Sequence, residues 1–152
     1  MATTDVSALC IPRFHDVLGD VFAHGHTHYW LHGGRGSTKS SFISLCIVLL
    51  VVNYPFANAV VVRRFSNTLR DSVYQQILWA IGELGLDGYF RARLSPMEIT
   101  YVPTGQKIIF RGADDPLKLK GVKFPTGYAA VVWLEELDQF DGPEEVRSVE
   151  QS

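Results

Sequence analysis

The segment Gly33-Gly34-Arg35-Gly36-Ser37-Thr38-Lys39-Ser40 limits what this chain can fold into more than any other. It follows a short apolar run at residues 29–32 and precedes an apolar stretch, residues 42–52, broken only by Ser44. Glycine loses the most backbone freedom on ordering, so three glycines in four residues do not belong inside a regular element. They read as a turn between a buried strand and a helix. The helix is expected over residues 37–52, apolar on most sides and therefore buried. Pro55 ends it by pushing its neighbour out of the α region.

Strand, glycine turn and helix, in that order, follow the phosphate-loop pattern G-x-x-x-x-G-K-[ST]. The match is at Gly33, Lys39 and Ser40. Thr38 stands where the second glycine would be, and its Cβ narrows the conformations open to that position. Glycines let successive backbone N–H groups converge on phosphate oxygens, and the helix N-terminus adds its positive end. Gly33, Gly34, Arg35, Gly36, Ser37, Thr38, Lys39 and Ser40 are thus the expected nucleotide-binding set. Lys39 is expected to reach the β- and γ-phosphates of ATP, and the Ser40 hydroxyl to sit on Mg²⁺.

A phosphate loop needs acids at the same edge of the sheet. Residues 128–134 form an apolar, β-branched run that leads straight into Glu135 and Glu136. Ligands of parallel sheets bind where the strands end. Glu135 is expected to serve the metal and Glu136 to polarise the attacking water.

Between these motifs the pattern is α/β. Residues 59–63 read as a continuous buried strand. Residues 68–84 read as a helix, with Leu69, Val73, Ile77, Ala80, Ile81 and Leu84 on one face. Residues 98–102 and 107–110 read as a hairpin around Pro103-Thr104-Gly105-Gln106. Residues 114–123 read as a loop, and a last helix opens at Glu144 behind Pro143. The expected fold is a three-layer P-loop NTPase of the ASCE type with a mostly parallel central sheet. Residues 1–28 form a lead-in segment and residues 29–152 a partial ATPase domain.

Composition excludes other classes. Hydrophobic residues make up 47% and charged residues 20% of the 152, the balance of a globular domain. The longest apolar run is about half of the roughly 20 residues that cross a bilayer. No basic segment followed by an apolar one opens the chain, so a soluble cytoplasmic protein without a membrane partner is expected. Two cysteines are too few for a disulfide scaffold. Charge is uneven. Residues 60–125 carry ten bases and six acids, whereas residues 126–152 carry seven acids and one base.

The chain resembles the N-terminal ATPase region of phage terminase large subunits, over residues 10–152. The phosphate loop and Val132-Trp133-Leu134-Glu135-Glu136 are shared by many ATPases. The resemblance narrows on Val61-Val62-Arg63-Arg64, Thr104-Gly105-Gln106-Lys107 and Asp114-Asp115-Pro116-Leu117-Lys118-Leu119-Lys120. It implies an ATPase that drives double-stranded DNA into procapsids, with Arg35 as a loop arginine directed at the γ-phosphate. It also implies a portal and a small terminase subunit as partners, and a homo-oligomeric ring in the intact form. The family continues into a nuclease domain, and its strand after the acid pair lies between that pair and the phosphate-loop strand. This sequence stops first, so a sheet incomplete at the C-terminus and no nuclease activity are expected. The competing readings are another P-loop enzyme, such as a helicase-like ATPase or a kinase, and an inactive prophage remnant.

Other residues carry weaker signals. His24, His26 and His28 alternate and would share a face on a strand, as zinc ligands or as plain exposed polar groups. Lys118, Lys120 and Lys123 read as a basic loop, facing phosphates or only solvent. Arg63 and Arg64 end a strand on the ligand edge, and one of them is expected to line the site, with a plain salt bridge as the alternative. Trp30, Trp79 and Trp133 read as core.

Overall fold

Unbroken β-branched sequence puts β1 (Ala57–Arg63) at the centre of the molecule, with every residue buried. The computed structural model describes residues 5–10, 12–35 and 38–151. The chain runs α1 (Val6–Leu9), α2 (His15–Phe22), α3 (Lys39–Asn53), β1, α4 (Val73–Glu83), β2 (Phe90–Leu94) and β3 (Met97–Tyr101). It continues through β4 (Lys107–Gly112), α5 (Pro116–Lys120), β5 (Tyr128–Leu134) and α6 (Pro143–Glu150). The five strands make one sheet in the order β2-β3-β4-β1-β5. Its core, β4-β1-β5, is parallel, and β2 and β3 extend it as an antiparallel meander.

The two faces of β1 define the layers. Ala59 and Val61 join a large cluster with α3 and α4, including Leu45, Val48, Ile77 and Phe110. Val60 and Val62 meet Leu119, Phe140 and Val149 of the opposite layer, which carries α5 and α6. The architecture is the α/β, helix–sheet–helix arrangement of a P-loop NTPase-like fold.

Buried amides hold the elements in register. Asn58 donates to the carbonyls of Thr126 (2.8 Å) and Tyr128 (3.2 Å) and accepts from the Lys107 amide at 2.7 Å. It thereby ties the starts of β4 and β5 across β1. The Gln106 amide, fully buried, donates to the carbonyls of Val51 and Tyr54, both at 3.0 Å. Those carbonyls end α3; Tyr54 also accepts from the Ala57 amide at 2.9 Å, whereas residue 55, the i+4 position to Val51, is proline and has no N–H to give.

The structure departs from the sequence reading in five respects. Residues 29–32 are not a strand: no described residue pairs with them in the sheet, and Trp30 is 63% exposed. A strand exists only through its neighbour's hydrogen bonds, which an apolar run cannot report. Among the described residues β5 is an edge strand of the sheet. Residues 114–123 contain a short helix, α5, with Pro116 at its start and the Asp115 carboxylate accepting from the Lys118 amide. The helix expected from residue 68 begins at Val73, because the Ser72 hydroxyl bonds the carbonyls of Thr68 and Leu69 and competes with the backbone ladder. The edge strand β2 is not among the expected elements, although Phe90-Arg91-Ala92-Arg93-Leu94 alternates apolar and charged residues. Of the three tryptophans only Trp133 is core, while Trp79 is 40% exposed.

Candidate functional site

The C-terminal ends of the parallel strands lie at one edge of the sheet, and the two sequence motifs meet there. The Ser40 hydroxyl, in the first turn of α3, donates to Glu135 Oε1 at 2.8 Å, although 95 residues separate them. Strand β5 ends at Leu134, and the Glu135 amide still donates to Val62 of β1 at 2.9 Å. Backbone pairing therefore fixes where the Glu135 carboxylate projects.

Lys39 opens α3 and turns its ammonium back over the loop. Its Nζ donates to the carbonyl of Gly33 and, at 3.4 Å, to that of Gly34. An arriving phosphate oxygen would compete for the same donor. Arg35 is exposed on the loop. Gly36 and Ser37 lie outside the described residues.

Thr38 has φ 61° and ψ 12°, in the left-handed region. This is the position where the loop pattern carries glycine, and a β-branched residue is an outlier there. Glu136 has φ 53°, again left-handed. Only His24 joins them as a non-glycine residue of positive φ among the described residues. Such backbone costs on the order of 1–3 kcal/mol and collects at functional sites, where the surrounding structure enforces it. The turn at Glu136 separates the two carboxylates, so Glu135 faces Ser40 while Glu136 faces β1.

Glu136 is held by Arg63, the last residue of β1, through an ion pair of Glu136 Oε2 with the guanidinium. Arg63 also donates to the Thr68 carbonyl at 3.3 Å, and its Nε is buried without a hydrogen-bond partner. Arg64 points elsewhere. It donates to the Gln139 carbonyl at 2.7 Å and pairs with Asp141, with Glu145 at 3.9 Å. Both arginines form ion pairs: Arg63 with Glu136 at the strand ends, and Arg64 with the segment that leads into α6.

Two segments on which the resemblance narrowed have structural roles. Asp114 accepts from the Ser66 amide (3.0 Å) and hydroxyl (2.6 Å), joining the exit of β4 to the turn after β1. A Cβ on Gly112 would stand 2.2 Å from the Ser66 hydroxyl, so the approach requires glycine. Asp115 caps α5 and pairs with Lys118 at 3.0 Å, and those contacts hold its carboxyl below the usual range. Lys118 and Lys120 therefore sit on a helix, with Lys123 exposed beyond it.

The histidines do not converge. His26 bonds Asp20 at 2.8 Å, His28 approaches Glu150 at 3.7 Å, and His24 packs on the Tyr54 ring. Among the described residues no group of three or more His, Cys, Asp or Glu side chains is placed to hold a metal. No described helix is long and apolar enough to cross a membrane.

Comparison with known proteins places this geometry. Residues 25–152 match the family described as phage terminase large subunit. The chain is 41% identical, over 93% of its length, to the terminase large subunit of Bacillus phage SPP1. It is 34% identical, over 84% of its length, to the PBSX phage terminase large subunit of Bacillus subtilis strain 168. The matched regions span 33% and 28% of those relatives, so the chain covers about a third of their length.

Proposed function

The chain belongs to the phage terminase large subunit family, and on that premise we propose that it binds and hydrolyses Mg-ATP as part of a motor that packages double-stranded DNA. The observation that carries this reading is the Ser40–Glu135 contact. A hydroxyl at a helix start and a carboxylate at a strand end are two hard oxygen donors at one point. That is the protein's share of a Mg²⁺ site whose other ligands are waters and substrate phosphates. Bound Mg²⁺ would neutralise charge on the β- and γ-phosphates.

The remaining roles fall to this chain's own groups. The Lys39 ammonium exchanges the Gly33 and Gly34 carbonyls for phosphate oxygens. Arg35 supplies a second positive charge toward the transferring phosphoryl group. Glu135 keeps the Ser40 hydroxyl aimed at the sheet edge. Glu136 orients the attacking water and accepts its proton. Its Oε2 is taken by Arg63, so Oε1 is the atom available to water, and Arg63 sets its direction. The portal, the small terminase subunit and a ring of the intact protein, in the host cytoplasm, complete the proposal by family resemblance.

The test is a thermal melt with and without Mg-ATP, beside Lys39→Ala. A ligand that binds only the folded state, at 100 times its Kd, adds about 2.7 kcal/mol. For a domain of this size that is a rise of about 5–10 °C. The rise is expected in the wild type and not in Lys39→Ala, together with ATP turnover that increases with double-stranded DNA. A cooperative melt indifferent to Mg-ATP would overturn the nucleotide site. The family relationship disfavours the other P-loop enzymes, and absent turnover with intact binding would favour an inactive remnant.

A further inference from the structure

One face of the sheet carries charge that the phosphate site does not use. In the β2–β3–β4 meander, Phe90 and Tyr101 meet ring to ring at 5.1 Å and pack into the α3–α4 core. Side chains alternate along a strand, so Arg91 and Arg93 lie on the opposite face. Their register partners are Thr100 and Glu98, which in turn lie opposite Lys107 and Ile109 of β4. Lys107 pairs with Glu98 at 2.7 Å. Arg111, two residues beyond Ile109, donates to the Phe110 carbonyl at 2.8 Å, and its Nε is buried without a partner. Four cations thus share this face with the acid Glu98, and Asp115 lies near Arg111 at its β4 end. Glu98 is only 6% exposed and engaged by Lys107. Arg91 and Arg93 are exposed and form no ion pair among the described residues. The layer of α5 and α6 covers this face over β1 and β5 and reaches β4 through α5, so the part left open lies at β2, where Arg91 and Arg93 are exposed.

We propose that the basic face of β2–β3–β4 holds the phosphodiester backbone of duplex DNA. The inference rests on the motor reading above and names the surface through which that motor grips its substrate. Arginine matches phosphate geometry with two parallel N–H donors. Two arginines on an edge strand offer charge to a phosphate backbone. Phosphate contacts of this kind position a duplex without reading its sequence, as a motor acting on any sequence requires. An acidic face of a second copy is the competing partner, since residues 126–152 are strongly acidic. It is the weaker fit, because Glu136, Asp141 and Glu145 of that segment already face Arg63 and Arg64.

The experiment is fluorescence anisotropy of the whole chain with two unrelated duplexes, repeated across salt concentrations. The variants are Arg91→Ala/Arg93→Ala, the charge-keeping Arg91→Lys/Arg93→Lys, and Arg13→Ala as a control. Arg13 lies beside Phe14, which stacks on Phe42 of α3, on the other side of the sheet. Each lost phosphate contact lowers the slope of log K against log salt by about 0.9. The alanine pair should therefore lose nearly two units of slope, equally for both duplexes. The lysine pair and Arg13→Ala should keep the wild-type slope. An unchanged slope in the alanine pair, or an equal loss in Arg13→Ala, would overturn the proposal. So would self-association that the alanine pair abolishes while duplex binding persists. The Mg-ATP melt of the same variants separates the two readings: the alanine pair should keep its ATP-dependent rise, whereas Lys39→Ala should lose that rise and keep the DNA slope.

Discussion

Thr38 and Glu136 are the two residues whose backbones the site holds against their preference. Thr38 in a left-handed conformation carries a cost of roughly 1–2 kcal/mol that glycine would not. Thr38→Gly is therefore expected to raise the melting temperature by about 2–4 °C for each kcal/mol relieved. A fall would mean that the side chain contributes more than its backbone costs. Glu136 tests the chemistry instead. Glu136→Gln keeps shape and removes the charge that accepts a proton. It should preserve the Mg-ATP-dependent rise in melting temperature and lower turnover by about 10²–10⁴-fold, the usual worth of a positioned base. Turnover unchanged in that variant would move the base elsewhere, with Glu135 the next residue to substitute. Arg63 is a positioning residue in this scheme. Its role was half visible in the sequence, since a basic residue at the end of a strand beside the acid pair has few other places to go.

At the scale of elements, the junctions are held by buried amides more than by the elements' own propensities. Gln106 lies in the hairpin turn yet satisfies the end of α3. Gln106→Leu would keep the volume and leave the Val51 carbonyl without its donor, while Tyr54 keeps the Ala57 amide. A buried acceptor left unpaired costs about 1–3 kcal/mol. A loss of about that size is expected, read as a shift in the urea midpoint with an unchanged slope. A loss within error would show that other donors replace the amide. The hairpin's strands were legible because β-branched and aromatic residues flank the turn Pro103-Thr104-Gly105-Gln106. The amide's destination was not, because a buried Gln and a turn Gln look alike in sequence. Helix α5 was missed for a related reason. Its stability comes from the Asp115 cap and from Leu119 packing against β1, neither of which a five-residue window can display.

At the scale of the molecule, titration of buried groups sets the pH range of the fold. Burial, with Cys10 nearby, pushes the Cys46 thiol up to about 12 from a usual 9.0. The folded state thus favours the neutral thiol. That contribution is complete below pH 9 and is lost as pH rises towards 12. At pH 10.5 the loss is on the order of 2 kcal/mol, at about 1.4 kcal/mol per unit. Urea unfolding of the wild type at pH 8 and 10.5 should show it, and Cys46→Ala should lose less over the same interval. Equal losses would assign the alkaline weakening to other groups. On the acid side, Asp20 and Asp115 are held below the usual carboxyl range by their hydrogen bonds. Their contribution is present at neutral pH and is lost as pH falls through those lowered values.

Sequence by itself determined the family and the class of the fold, and it singled out the residues proposed for phosphate and metal. Periodicity located α4, continuous apolar runs located α3, β1 and β5, and turn residues located the β3–β4 hairpin and the start of α6. The tertiary structure alone decided which groups meet. It put Ser40 on Glu135 and Arg63 on Glu136, it left residues 29–32 unpaired, and it gathered Arg91, Arg93, Lys107 and Arg111 on one face. The physical reason is the same throughout. A side chain's chemistry and a segment's periodicity are local, whereas strand order, register and charge juxtaposition are set by partners far away in the chain.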